Sequence, residues 1–113
     1  MRPRAKFWLE AEDGRYLMGP RTHRLLRAIE ATGSLKAAAR SAGFSYRAAW
    51  SRVREVEAAL GFPLVASRSG GERGGGSRLT PEGRAFLEAY ERFLAEAERG
   101  LARAFQRAFG GEE

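Results

Sequence analysis

Ser45, Tyr46, Arg47, Ala48, Ser51 and Arg52 fall within eight consecutive positions, and Arg68, Arg73 and Arg78 follow at intervals of five inside a glycine-rich stretch. An arginine can grip guanine O6 and N7 with two hydrogen bonds, while Tyr and Ser hydroxyls reach phosphates or base edges. Ala48 is small enough to let a backbone approach a groove floor. Ser45, at the start of a helix, would place a phosphate against free N–H groups. The spaced wing arginines suit a charged backbone followed without regard to sequence. These residue types in this order point to duplex DNA.

Catalytic chemistry finds no comparable set. There are no cysteines and one histidine, His23, which rules out thiolate zinc, iron–sulfur and disulfide sites and leaves no histidine cluster. Glu55 and Glu57 are two apart on a helix and so point to different sides, and Glu88, Glu91, Glu96 and Glu98 read as the solvated face of a long helix. Gly70 and Gly75 are separated as in a phosphate-binding loop, but Gly76 stands where the phosphate-contacting lysine belongs. The expectation is no enzyme, no metal and no cofactor.

Charge supports the same partner. The net charge is +6, and residues 19–80 hold eleven Lys or Arg against four acids, whereas residues 81–113 hold five against seven. A positive middle segment gains affinity for a polyanion by releasing its condensed counterions. The amino terminus has no apolar signal-peptide run, and no stretch approaches the about 20 apolar residues that span a bilayer. A cytoplasmic protein without a membrane partner is expected.

The elements that must position these side chains follow from periodicity and punctuation. Residues 7–11 and 16–18 flank Asp13-Gly14, a hairpin turn signal. After Gly19-Pro20, Thr22 is the expected cap of a first helix that carries Leu25, Leu26 and Ile29 inward and stops at Gly33. Ser34 caps a short second helix over LKAAARSA, ended by Gly43. Ser45 caps a third, whose Ala49, Trp50, Val53, Val56 and Leu60 recur at three- and four-residue spacing, so Trp50 is read as core rather than as a base-stacking residue. Residues 64–66 and 78–80 are candidate strands of a basic wing. From Pro81 a helix is expected to run to about Phe109, roughly 43 Å at 1.5 Å per residue.

That fold class is mainly α with small β-hairpins: a winged helix-turn-helix over 1–80, and a long carboxy-terminal dimerisation helix over 81–113 that belongs to the same structural unit. Phe86, Tyr90, Phe93, Leu94, Ala97, Leu101 and Phe105 form an apolar seam on that helix. A lone helix of this length cannot bury all of them against a small core, so a homodimer with two recognition helices in successive major grooves is expected. The alternative for the seam is a helix folded back on its own hairpin, where Phe7, Trp8 and Leu9 offer a small surface. The competing reading is a protein–protein adaptor in which the long helix docks on a larger partner.

Residues 33–83 carry a GS-x-x-x-AA opening, an xLGxxL close and an LTPxG end. This stretch resembles the helix-turn-helix of LysR-type regulators. It is still more similar to the amino-terminal domain of the ModE-type molybdate-responsive repressors, through SYRAAW at 45–50, the GGERGGGS wing at 70–77 and the hairpin before the first helix. The resemblance, spanning about residues 7–109, implies a transcriptional regulator that binds double-stranded DNA. ModE proteins carry molybdate in carboxy-terminal oxyanion-binding domains, and the sequence stops at Glu113 after the long helix. Molybdate is therefore not expected to bind this chain directly. A stand-alone member, a fragment and a subunit with a separate sensor chain all fit.

Overall fold

Pro20 opens the first helix without a hydrogen-bonded side-chain cap, in a computed structural model that describes residues 1–68 and 76–110. The order is β1 (Leu9–Glu10), β2 (Tyr16–Met18), α1 (Pro20–Thr32), α2 (Leu35–Ala42), α3 (Tyr46–Leu60), β3 (Val65–Arg68), β4 (Gly76–Leu79) and α4 (Pro81–Phe105). A wider π-helical turn, Gln106–Gly110, continues α4. The fold is the expected winged helix-turn-helix with two small antiparallel hairpins.

The start of α1 differs from the expectation. Gly19, not Thr22, is the N-cap, because Pro20 has the backbone angle of a first turn and lacks an N–H that would need a partner. Thr22 sits inside the helix at 1% exposure, and its hydroxyl is engaged by Tyr16 and Arg52. The other caps are as read: Ser34 accepts from Ala37 N, Ser45 from Ala48 N and Thr80 from Gly83 N. Between α2 and α3, Gly43 adopts a left-handed φ of 80°, which lets the chain reverse in three residues.

The core gathers one face of every helix. Leu25, Leu26 and Ile29 of α1 meet Leu35, Ala38 and Ala39 of α2 and Ala49, Val53 and Val56 of α3, with Met18, Leu64, Val65 and Leu79 from the hairpins. Each large aliphatic side chain fully buried there stabilises the fold by about 1.5–3 kcal/mol. The small Ala38 and Ala39 let the two helices of the motif approach closely.

Only Leu9–Glu10 of the expected strand over 7–11 pairs with Tyr16–Met18, and the ladder is irregular between the two residues. Phe7 turns away to pack edge-on against Phe93. In the wing Val65 faces Leu79, and the pairing runs on to Arg68 opposite Gly76, so both strands are shifted into the loop relative to the expected 64–66 and 78–80. The reason is Thr80, which leaves the strand to cap α4 and donates its hydroxyl proton to Pro63 O.

Helix α4 projects beyond the body. The radius of gyration is 17.1 Å, against about 13 Å for a compact chain of this length. The molecule measures 64 × 29 × 23 Å. Regular α-helix ends at Phe105, four residues earlier than expected.

Candidate nucleic-acid interface

Ala49, Val53 and Val56 fix α3 by its apolar side, and the opposite side faces outward. Ser45, Tyr46, Arg47, Ala48 and Ser51 are all exposed there. Arg47 and Ser51 make no side-chain hydrogen bond among the described residues, so their donors are free. The hydroxyl of Ser45 accepts from Ala48 N at 3.0 Å. A shallow depression of about 480 Å³ lies along this face, lined by Ser45, Arg47, Ala48, Ser51, Arg52 and Arg21 among others.

Arg52 departs from the expectation of an outward groove contact. Its Nη1 donates to the buried Thr22 Oγ1 at 2.7 Å, and its guanidinium lies over the Tyr16 ring at 4.5 Å from the centroid. It therefore braces α3 against α1 and the hairpin. Trp50 packs against the core, as its spacing predicts, but from the flank of α3, where it stays half-buried. Its Nε1 donates to Tyr46 Oη at 2.9 Å and the Arg54 guanidinium stacks over its ring, 4.6 Å from the centroid. A contact between residues four apart holds the Tyr46 side chain in place.

The wing is tied down at both strands. Glu57 accepts from Leu64 N and Val65 N at 2.8 and 3.2 Å, so this carboxylate, read from sequence only as pointing aside, anchors the start of β3 to α3. On β4, Ser77 N donates to Gly33 O at 2.9 Å, and a Cβ at Gly76 would crowd the same carbonyl. Arg78 is exposed on β4. The side chain of Arg68 and the whole of Arg73 lie outside the described residues. Between wing and α3 runs a second depression lined by Ser34, Lys36, Tyr46, Trp50, Ser67 and Ser77, which adds Lys36 to the surface; its charge at the start of α2 is the signal that could have found it.

The seam on α4 is divided. Tyr90 is 2% exposed and its hydroxyl donates to Phe7 O at 2.9 Å, so it belongs to the core of its own chain rather than to an interface. Leu87, missing from the expected stripe, is fully buried beside it. Phe86 packs against Phe62, and Leu94 against the core. Phe93 stays 41% exposed, and Ala97, Leu101 and Phe105 are half-buried farther along. Glu91 is not a solvated acid either: it receives Arg27 Nη2 at 2.6 Å and lies 2.7 Å from His23 Nε2. The Arg27 hydrogen bonds, against opposing desolvation and with help from His23, bring its carboxyl down to about 2. A second cross-link joins Arg84 to Glu30 at 2.7 Å.

A helix held by its apolar side with arginine and hydroxyl groups outward, preceded by a tight helical turn and followed by a two-stranded wing, is the layout of a winged-helix nucleic-acid-binding module. The chain belongs to the LysR family of bacterial regulatory helix-turn-helix proteins, whose family model matches residues 20–84. It is 47% identical over 73 residues to the molybdenum-pterin-binding protein MopB of Rhodobacter capsulatus, covering 65% of this chain and 27% of that one. It is 36% identical over 103 residues to the molybdenum transport protein ModE of Azotobacter vinelandii, covering 91% of this chain and 38% of that one. The chain thus spans about a quarter to two-fifths of the length of these relatives. Among solved structures, the CbnR DBD–DNA complex matches with a TM-score of 0.60 and 31% identity, over 78% of this chain and 95% of that chain. No helix among the described residues is long and apolar enough to cross a membrane.

Proposed function

We propose that the protein is a transcriptional regulator that binds double-stranded DNA sequence-specifically as a homodimer, with α3 in the major groove and the wing on the adjacent backbone. One observation carries this reading: α3 has its inner face locked in the core while Arg47 and Ser51 stand outward with unused donors. Arg47 reads a base, Ser51 and Tyr46 assist it, and Ala48 permits the close approach. Ser45 sits at the helix start, where the free N–H groups and the helix dipole favour a phosphate. Arg68, Arg73 and Arg78 follow phosphates along the wing. Arg52 acts one step back, holding α3 at the angle that presents Arg47. The likeness to a DNA complex and to the molybdenum-related ModE and MopB proteins supports the class. The part of the α4 seam left outside the core, exposed Phe93 with half-buried Ala97, Leu101 and Phe105, supplies the dimer contact.

The test is an electrophoretic titration with duplex DNA at several salt concentrations. Binding should weaken steeply and log-linearly with salt as counterions are retained. An absence of binding at low salt removes the reading.

A further inference from the structure

Around the amino-terminal end of α1, three cations line one notch without an ion pair among the described residues; the acids at this surface are Glu10, hydrogen-bonded to Trp8, and Glu55, which lines the adjoining depression. Arg21 Nη2 donates to Gly43 O at 2.9 Å and Arg52 Nη1 to Thr22 Oγ1 at 2.7 Å, both neutral acceptors. The two guanidinium groups share the Phe44 ring, at 4.2 and 5.7 Å from its centroid. Lys6, exposed on the segment before β1, completes a notch with Trp8, Tyr16 and Pro20, about 330 Å³ in volume. By contrast, Arg15, Arg27, Arg54, Arg84 and Arg99 each pair with an acid. Lys6, Arg21 and Arg52 make no ion pair among the described residues. The aromatic faces offset part of the repulsion between the two guanidinium groups, and each arginine retains N–H donors beyond the one it uses, which an anion can accept.

The notch is continuous with the outward face of α3, because Arg21 and Arg52 line both depressions. Gly19 offers α1 no side-chain cap, so the positive end of that helix dipole adds to the same spot. A duplex seated on Arg47 and Ser51 has a phosphate backbone on each side of its major groove. On one side lie the wing and Lys36; on the other lies this notch.

We propose that the notch of Lys6, Arg21 and Arg52 holds a backbone phosphate of the same duplex, extending the DNA-facing surface from α3 onto the segment that enters the amino-terminal hairpin. The inference rests on the proposed DNA-binding function. Arg52 and Arg21 are held in place by Thr22, Gly43 and Phe44, Lys6 adds an exposed donor, and Trp8 and Tyr16 form the apolar wall. The hairpin is then a clamp on the backbone as well as a support for the core.

The experiment compares the full chain with Lys6→Ala, Lys6→Arg and Arg103→Gln in duplex titrations across salt. Lys6 is exposed and unpaired, so its loss leaves folding intact. The Lys6→Ala variant should lower the salt slope by about one and weaken unrelated sequences by equal factors. Lys6→Arg should keep the wild-type slope, and Arg103→Gln, far along α4 with the same loss of charge, should leave it unchanged. An unaltered slope in Lys6→Ala overturns the notch while the DNA-binding reading stands, as does an equal fall in Arg103→Gln, which reports net charge alone. Failure of the wild type to bind duplex removes both. In a further arm, inorganic phosphate is titrated into the free protein while tryptophan emission is followed. Little change at millimolar phosphate fits a backbone site, and tight saturation would assign the notch to a free anion instead.

Discussion

Arg52 Nη1 donates to Thr22 Oγ1 across 2.7 Å, joining the outward helix α3 to a hydroxyl that is 1% exposed within α1. A charged donor on a buried acceptor, reinforced by the Tyr16 ring, contributes on the order of 2 kcal/mol. Arg52→Ala should lower the unfolding free energy by about that much, and Thr22→Val should reproduce part of the loss. The two together should fall short of additivity, because they break one contact. Denaturant titrations of the four proteins measure this. Full stability in Arg52→Ala, with preference altered at a single base pair, would return Arg52 to the groove.

Acid should loosen the joint between α1 and α4. The Glu91 carboxyl is held near 2 by Arg27 first and His23 second, below the ordinary carboxylate range. Because its folded value is depressed, the stabilisation is complete above the unfolded value and is lost as pH falls from about 5 toward 2. With half-exposed Arg27 as partner, about 1–2 kcal/mol is involved. Thermal melts of the wild type and Glu91→Gln should differ at pH 7 and converge toward pH 2. A constant gap across that range would refute the linkage.

Gly83 lies where the first turn of α4 meets β3, and a Cβ there would run into the Leu64 carbonyl. The neighbour is backbone, so it cannot step aside. Gly83→Ala should therefore cost about 1–3 kcal/mol, even though alanine is the better helix former. Equilibrium unfolding that shows a gain in stability would mean that the contact relaxes freely.

The part of the seam outside the core should govern association. Phe93→Glu combined with Leu101→Glu places charge on Phe93 and Leu101 while sparing buried Tyr90 and Leu87. Sedimentation should show a wild-type dimer at micromolar concentration and a folded monomeric variant with weakened DNA binding. A wild-type monomer would contradict the dimer.

What could be read in advance was local. Ser34, Ser45 and Thr80 announce their helices through a hydroxyl three residues before an N–H, and Val53 and Val56 mark the buried side of α3 by spacing alone. Contacts between distant residues escaped. Tyr90 satisfies its hydroxyl on Phe7, 83 positions away, and periodicity on α4 cannot separate a side chain bound for its own core from one bound for a partner. Arg52 likewise has the spacing of a surface residue, but its acceptor is 30 positions earlier, inside a helix that begins at Pro20 rather than after Thr22. Glu91 and Glu57 were read as solvated or turned aside because their partners on α1 and β3 come together only in the folded chain.

Selection of bound sequences from a random duplex pool, with the wild type and Arg47→Ala, decides whether the outward face of α3 reads duplex sequence in a symmetric dimer. The wild type should enrich a two-fold symmetric site with half-sites about 10 base pairs apart or a multiple of that spacing. Arg47→Ala should relax one position in each half at a cost of about 1–3 kcal/mol. Enrichment of no sequence by the wild type, or the same site selected with equal stringency by Arg47→Ala, would mean that α3 does not read the duplex.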